Sequence, residues 1–142
     1  MLLVFVSALS LVSPAISKKP DNTTKKVSND EASNRSADIE LYWDSRCTKR
    51  VSSIEWGQLR SGDNKIVTLF IMNKGKDPVT LSYYTSNWQP SKVENYFFLE
   101  WDYTGQVIEF REIVQVVFTL YISENVETIE KFSFDISIIS TQ

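Results

Sequence analysis

Histidine is missing altogether from this 142-residue chain, and cysteine occurs once, at Cys47. The first absence removes the commonest general base and the commonest ligand for zinc or copper. The second excludes an intrachain disulfide and any cage built from cysteines. Arg46, Lys49 and Arg50 surround Cys47 in the sequence and would lower its pKa, yet thiol catalysis wants a histidine beside the sulfur. The uses left to Cys47 are a quiet place between strands or a disulfide to another chain. Glycine is also scarce, with four dispersed residues, so no glycine-rich loop is available to cradle a phosphate. The net charge of −3 lacks the broad basic footprint of a nucleic-acid binder. No stretch of ten or more residues carries a helical period.

What is present falls into three parts. Residues 1–17, MLLVFVSALSLVSPAIS, combine an apolar run with small residues at Ala15 and Ser17, the pattern of a secretory signal peptide. No Lys or Arg precedes the run, so a short retained membrane anchor and a buried core segment are the other readings of the same residues. Residues 18–37 hold Val27 as their one sizeable apolar side chain. Such a segment cannot offset the entropy of ordering it and is expected to be a flexible polar linker. It carries two acceptor sequons, at Asn22 and Asn34, expected sites of glycosylation in an exported protein.

From residue 38 to 142 the apolar pattern takes a period of two, the mark of half-buried strands. In DIELYWD, Ile39, Leu41 and Trp43 share the inward face, with Tyr42 outward. SSIEWG points Ile54 and Trp56 together. KIVTLFIMN is apolar on both faces and reads as a central strand covered on both sides. VTLSYYT turns Val79, Leu81 and Tyr83 inward and Tyr84 outward. NYFFLEWDY, EIVQVVFTLYIS and EKFSFDISII complete seven expected strands, joined by turn signals such as Arg60 to Asn64 and Thr104-Gly105. The expected fold class is all-β, an antiparallel seven-stranded sandwich in one domain.

The run Trp56-Gly57, Gly62, Val67-x-Leu69-x-Ile71-x-Asn73-x-Gly75-x-x-Pro78-Val79-x-Leu81 resembles the B–C region of immunoglobulin-like domains. It is similar to the spindle/cilia-type and sperm-protein-type families and to the immunoglobulin-like modules of prokaryotic, archaeal-looking cell surfaces. In this reading Asn73 and Gly75 take the positive-φ positions of a tight reversal, and Pro78 opens the next strand where no ladder donor is needed. The resemblance spans about 56–82 and implies a fold more than an activity.

No constellation for catalysis stands out. Glu100 and Asp102 share a strand face, an ordinary arrangement of solvated acids. Asp44, Asp63, Asp77 and Asp102 lack the spacing of a calcium loop. Trp88, in Thr85-Ser86-Asn87-Trp88-Gln89-Pro90, falls outside the alternating strands and reads as a loop tryptophan that either caps the end of the sandwich or stands exposed as a contact. The expected function is therefore a non-enzymatic, cofactor-free exported module for adhesion, assembly or structural display at the cell surface. Its partners would be other envelope proteins or further copies of itself, with membrane contact through an uncleaved N-terminal segment. The alternative is a carbohydrate-binding module in which Trp88, Asn87, Tyr84 and Tyr42 form an exposed contact for glycans.

Overall fold

The computed structural model describes the backbone course of Leu2–Leu11 and, in full, residues 38–126 and 131–142. Eight strands are formed: β1 (Leu2–Leu11), β2 (Ile39–Tyr42), β3 (Ser53–Glu55), β4 (Asn64–Asn73), β5 (Thr80–Gln89), β6 (Phe97–Trp101), β7 (Ile113–Ile122) and β8 (Lys131–Thr141). The seven strands expected between residues 38 and 142 are all present, as β2 to β8. They build two four-stranded sheets, one ordered β3-β1-β8-β5 and the other β2-β4-β7-β6. All pairings are antiparallel except β1 with β3.

The first strand comes from the segment expected to be an export leader. Leu2–Leu11 pairs with β8 residue for residue, from Leu2 opposite Ser140 to Leu11 opposite Lys131. Its other edge holds β3 through Ser7, Ala8 and Leu9. Residues 18–37, with Asn22 and Asn34, lie outside the described residues.

One core joins the two sheets. Phe132, Phe134, Ile136 and Ile138 of β8 are buried, as are Val116, Phe118, Leu120 and Ile122 of β7. The alternation in both strands meets a period-two backbone, so one face of each lines the core; in β8 the polar Asp135 and Ser137 of the opposite face, expected outward, are buried as well. Tyr83 of β5 meets Phe118 of β7 edge to face across the layers, with ring centroids 5.5 Å apart, a favoured aromatic geometry. The Tyr83 hydroxyl donates to the Leu99 carbonyl of β6 at 2.5 Å, tying the free edges of the two sheets together.

The turn after β4 differs from expectation. Neither Asn73 nor Gly75 takes positive φ; among the described glycines Gly57, Gly62 and Gly105 do. The chain does not reverse within one sheet here but crosses from β4 in one layer to β5 in the other. Asn73, fully buried, holds that crossing together. Its Nδ2 donates to the carbonyls of Asp77 and Ile108, at 2.9 and 2.8 Å, while its Oδ1 accepts from the Gly75 amide. Gly75 is required by proximity: a Cβ there would lie 2.8 Å from Asp38 Oδ1.

Tyr42, the last residue of β2, and Trp43, just past it, differ from expectation in their exposure. Tyr42 is buried and Trp43 is 39 % exposed. The strand stops at Tyr42, and the chain turns under the Asp44 carboxylate, which accepts from the Thr48 and Lys49 amides. Alternation therefore does not extend to Trp43, and Tyr42 is covered as its hydroxyl donates to Glu40.

Candidate functional site

The expected sugar-contact residues do not converge. Trp88 is not on a loop: β5 runs through it to Gln89, and a register shift between Ser86 and Gln89 interrupts the pairing with β8. Asn87 sits there at φ 54°. The irregularity moves the alternation by one residue, so Trp88 points inward and is only 6 % exposed. It stacks on Phe134 with centroids 4.0 Å apart and planes 10° from parallel. Asn87 spends its amide on the Asp135 carboxylate, at 2.7 Å. Tyr84 is exposed on β5, as expected, but Tyr42 is buried on β2, in the other sheet. A planar exposed aromatic row is not formed by these four residues.

Cys47 is half-buried at φ 58°. Its thiol is pushed up in pKa, first by burial and then by the charges of Asp44 and Glu40. The lowering expected from Arg46, Lys49 and Arg50 does not occur, and a thiol held protonated is a poor nucleophile.

Between the edges of β5 and β6 lies a cleft of about 490 Å³. Tyr84, Thr85, Glu94 and Phe98 border it, with Trp88 and Leu99 beneath. Glu94 is the one carboxylate in its lining. A hydrolytic pair of acids therefore has no second member here. Nor do the four aspartates considered for calcium gather: no group of three or more His, Cys, Asp or Glu side chains able to hold a metal occurs among the described residues. Asp63 accepts from the Arg60 amide and Asp102 from the Val117 amide, both local roles.

The feature with most capacity for contact is the outer face of the sheet β2-β4-β7-β6. Strand β4 turns Asn64, Ile66, Thr68, Phe70 and Met72 outward, and β7 turns Ile113, Gln115, Val117, Thr119 and Tyr121 to the same side. None of these ten is charged. Tyr121 stands opposite Asn64 on one side and Phe98 on the other, and Ile113 stands opposite Met72. Ile66 is 64 % and Phe98 59 % exposed, with Tyr121 and Ile113 exposed as well. The sequence reads KIVTLFIMN as covered on both sides; the structure buries Leu69 and Ile71 fully, exposes Ile66, and leaves Phe70 and Met72 half-buried on the same side as Ile66. With ten residues each in β4 and β7, four in β2 and five in β6, strand spacing and rise give a face of roughly 460 Å². The β4 and β7 lanes supply roughly 300 Å² of it, shared between apolar Ile66, Phe70, Met72, Ile113, Val117 and Tyr121 and polar Asn64, Thr68, Gln115 and Thr119.

Charge is confined to the rim. At the β2 edge, Glu40 pairs with Arg50 at 2.8 Å and with Lys74. Burial alone would raise the Glu40 pKa, but hydrogen bonds from Lys74 and Tyr42 and the charges of Lys74 and Arg50 prevail and hold it below its usual value. At the β6 edge stand Glu100 and Asp102. An uncharged centre within a charged rim is the anatomy of a protein interface. Alternation in β4 and β7 signals this face in the sequence; what it lacks is any mark of which side would be covered.

No family model, no curated protein and no solved structure matches this chain.

Proposed function

We propose that this protein is a non-enzymatic, exported cell-surface module for adhesion, assembly or structural display, built on an immunoglobulin-like sandwich. The observation that carries the reading is the open outer face of β4 and β7, with ten outward residues free of charge and large apolar side chains exposed to water. Exposed Ile66, Phe98, Ile113 and Tyr121 gathered on one uncharged sheet face support a contact role for it. The strand orders support the immunoglobulin-like assignment. Taking β2, β4, β5, β6, β7 and β8 as A to F, one sheet has the A-B-E-D order and the other carries C beside F, as in that fold. The lane of strand G is then filled by β1.

Export rests on the leader-like composition of residues 1–17 and on the sequons at Asn22 and Asn34. The ten-residue register of β1 against β8 supports retention of the segment after export. No helix among the described residues is long and apolar enough to cross a membrane, and the membrane enters this reading only during export.

The test is photocrosslinking from position 66 on intact producing cells. The reading predicts a protein crosslink at position 66 and none from an exposed control such as Val107. Labelling by solvent alone at both positions would retire it.

A further inference from the structure

The geometry points to a peptide-binding site in the cleft between β5 and β6, where a short extended segment of a partner protein, carrying a cationic residue, adds to the edge of β5. The site is separate from the outer face of β4 and β7 and does not rest on it. Among the described residues, β5 and β6 are the last strands of their sheets on this side. Alternation along each strand tells which backbone groups face the cleft. The Leu81 amide donates to the Tyr103 hydroxyl, and Val79 exchanges both bonds with Ile108. Odd-numbered residues of β5 therefore turn their backbone away from β8, and the next two in line, Tyr83 and Thr85, present theirs to the cleft. On β6 the Tyr96 carbonyl and the Asp102 amide are bonded toward β7, so Phe97 and Leu99 face the same space.

Three observations say what fits. The lane beside β5 already takes backbone, since Ile108 sits in it as an antiparallel neighbour of Val79. A peptide opposite Tyr83 and Thr85 continues that lane and gains two hydrogen bonds at each residue, the mode of strand addition. Next, Thr80–Gln89 holds no charged residue and no proline, the usual devices by which an edge refuses another strand, and its irregularity comes only after Ser86. Finally, the cleft of about 490 Å³ lies within the range of ligand sites, and Glu94 is the one charged group in its lining. Alternation in the peptide then sets its chemistry. Residues opposite Tyr83 and Thr85 point inward, over Trp88 and Leu99, and are apolar. The residue between them turns to the side of exposed Tyr84, where an aromatic ring and the Glu94 carboxylate in one cleft favour arginine.

The test titrates the full chain with two pools of blocked pentapeptides. In each, two positions drawn from valine, isoleucine, leucine and phenylalanine flank a central residue, arginine in one pool and glutamate in the other. The arginine pool should bind saturably and slow hydrogen exchange at the Tyr83 and Thr85 amides. The glutamate pool should bind roughly fivefold more weakly, and Glu94→Gln, at an exposed position, should level the two. N-methylation of the two flanking residues, whose amides face β5, should abolish binding, and N-methylation of the central arginine should not. No binding by either pool, or binding that survives methylation of the flanking residues, would overturn strand addition. Equal or tighter binding of the glutamate pool would overturn the cationic partner. Should the Tyr83 and Thr85 amides become protected as protein concentration rises without peptide, the occupant is a second copy and the partner peptide is wrong. None of these outcomes alters the crosslink from position 66, so the outer face stands or falls separately.

Discussion

Trp88 lies flat on Phe134, with 4.0 Å between ring centroids and 10° between their planes. The pair joins β5 to β8, and Phe97 of β6 meets the same indole edge to face at 6.3 Å. A tryptophan in that position belongs to the core. Trp88→Ala should lower stability by about 3–5 kcal/mol, read as a fall in the urea midpoint without a change in slope. If Trp88→Ala unfolds at the wild-type midpoint, the residue is not buried as described.

Asn73 is predicted to matter nearly as much, for a different reason. Its side chain satisfies two carbonyls and one amide at the crossing between layers. Asn73→Ala leaves these groups without their partner, which costs about 1–3 kcal/mol when they are buried. Hydrogen exchange should show the loss first around Gly75 and Ile108. Unaltered protection there would contradict the role.

The Glu40 cluster gives a pH dependence of defined sign. Its folded pKa lies below the ordinary 4.5, so the unfolded chain takes up the proton first as pH falls. The stabilisation is present above that ordinary value and is lost as pH falls through the folded one. Wild type should therefore lose stability below about pH 5 more steeply than Glu40→Gln, and parallel curves would remove Glu40 from the account.

Cys47 should react slowly with thiol reagents. Burial, followed by the Asp44 and Glu40 charges, raises its pKa, so the thiolate fraction near neutral pH is below that of a free cysteine. Alkylation rate against pH would show the onset displaced upward; an onset at lower pH would restore the cation-activated reading.

Removing residues 1–17 takes away β1. Strand β8 then loses the ladder on one side, and β3 loses its pairing to the sheet. At roughly 0.5–1.5 kcal/mol for each net hydrogen bond, the truncated chain should be several kcal/mol less stable. Equal stability of the two forms, or a mature mass that begins after residue 17, would show that β1 is not part of the working domain.

Much of this fold is legible in the order of residues, and the misreadings have physical causes. β7 and β8 alternate over ten and eleven residues, long enough for period two to identify the strands and their core-lining side, although Asp135 and Ser137, expected outward on β8, are buried too. Trp88 escapes because a register irregularity is a pairing event: nothing in Ser86-Asn87-Trp88 shows that β5 continues or that its faces exchange there. Trp43 is one residue past a strand end that side-chain hydrogen bonds of Asp44 determine. Leu2–Leu11 has the composition of a leader and of a buried strand alike, and composition cannot choose between them. The open face is half legible, because apolar residues on both sides of β4 announce two contacts without saying whether the second is made within the chain.

The most direct measurement is covalent footprinting of aromatic side chains on the isolated protein and on intact producing cells. The account predicts that Tyr121 and Phe98 become protected on the cells, while Phe110, exposed elsewhere, keeps its labelling. Should Tyr121 and Phe98 label as fully as Phe110 in both settings, the face of β4 and β7 is not a contact surface.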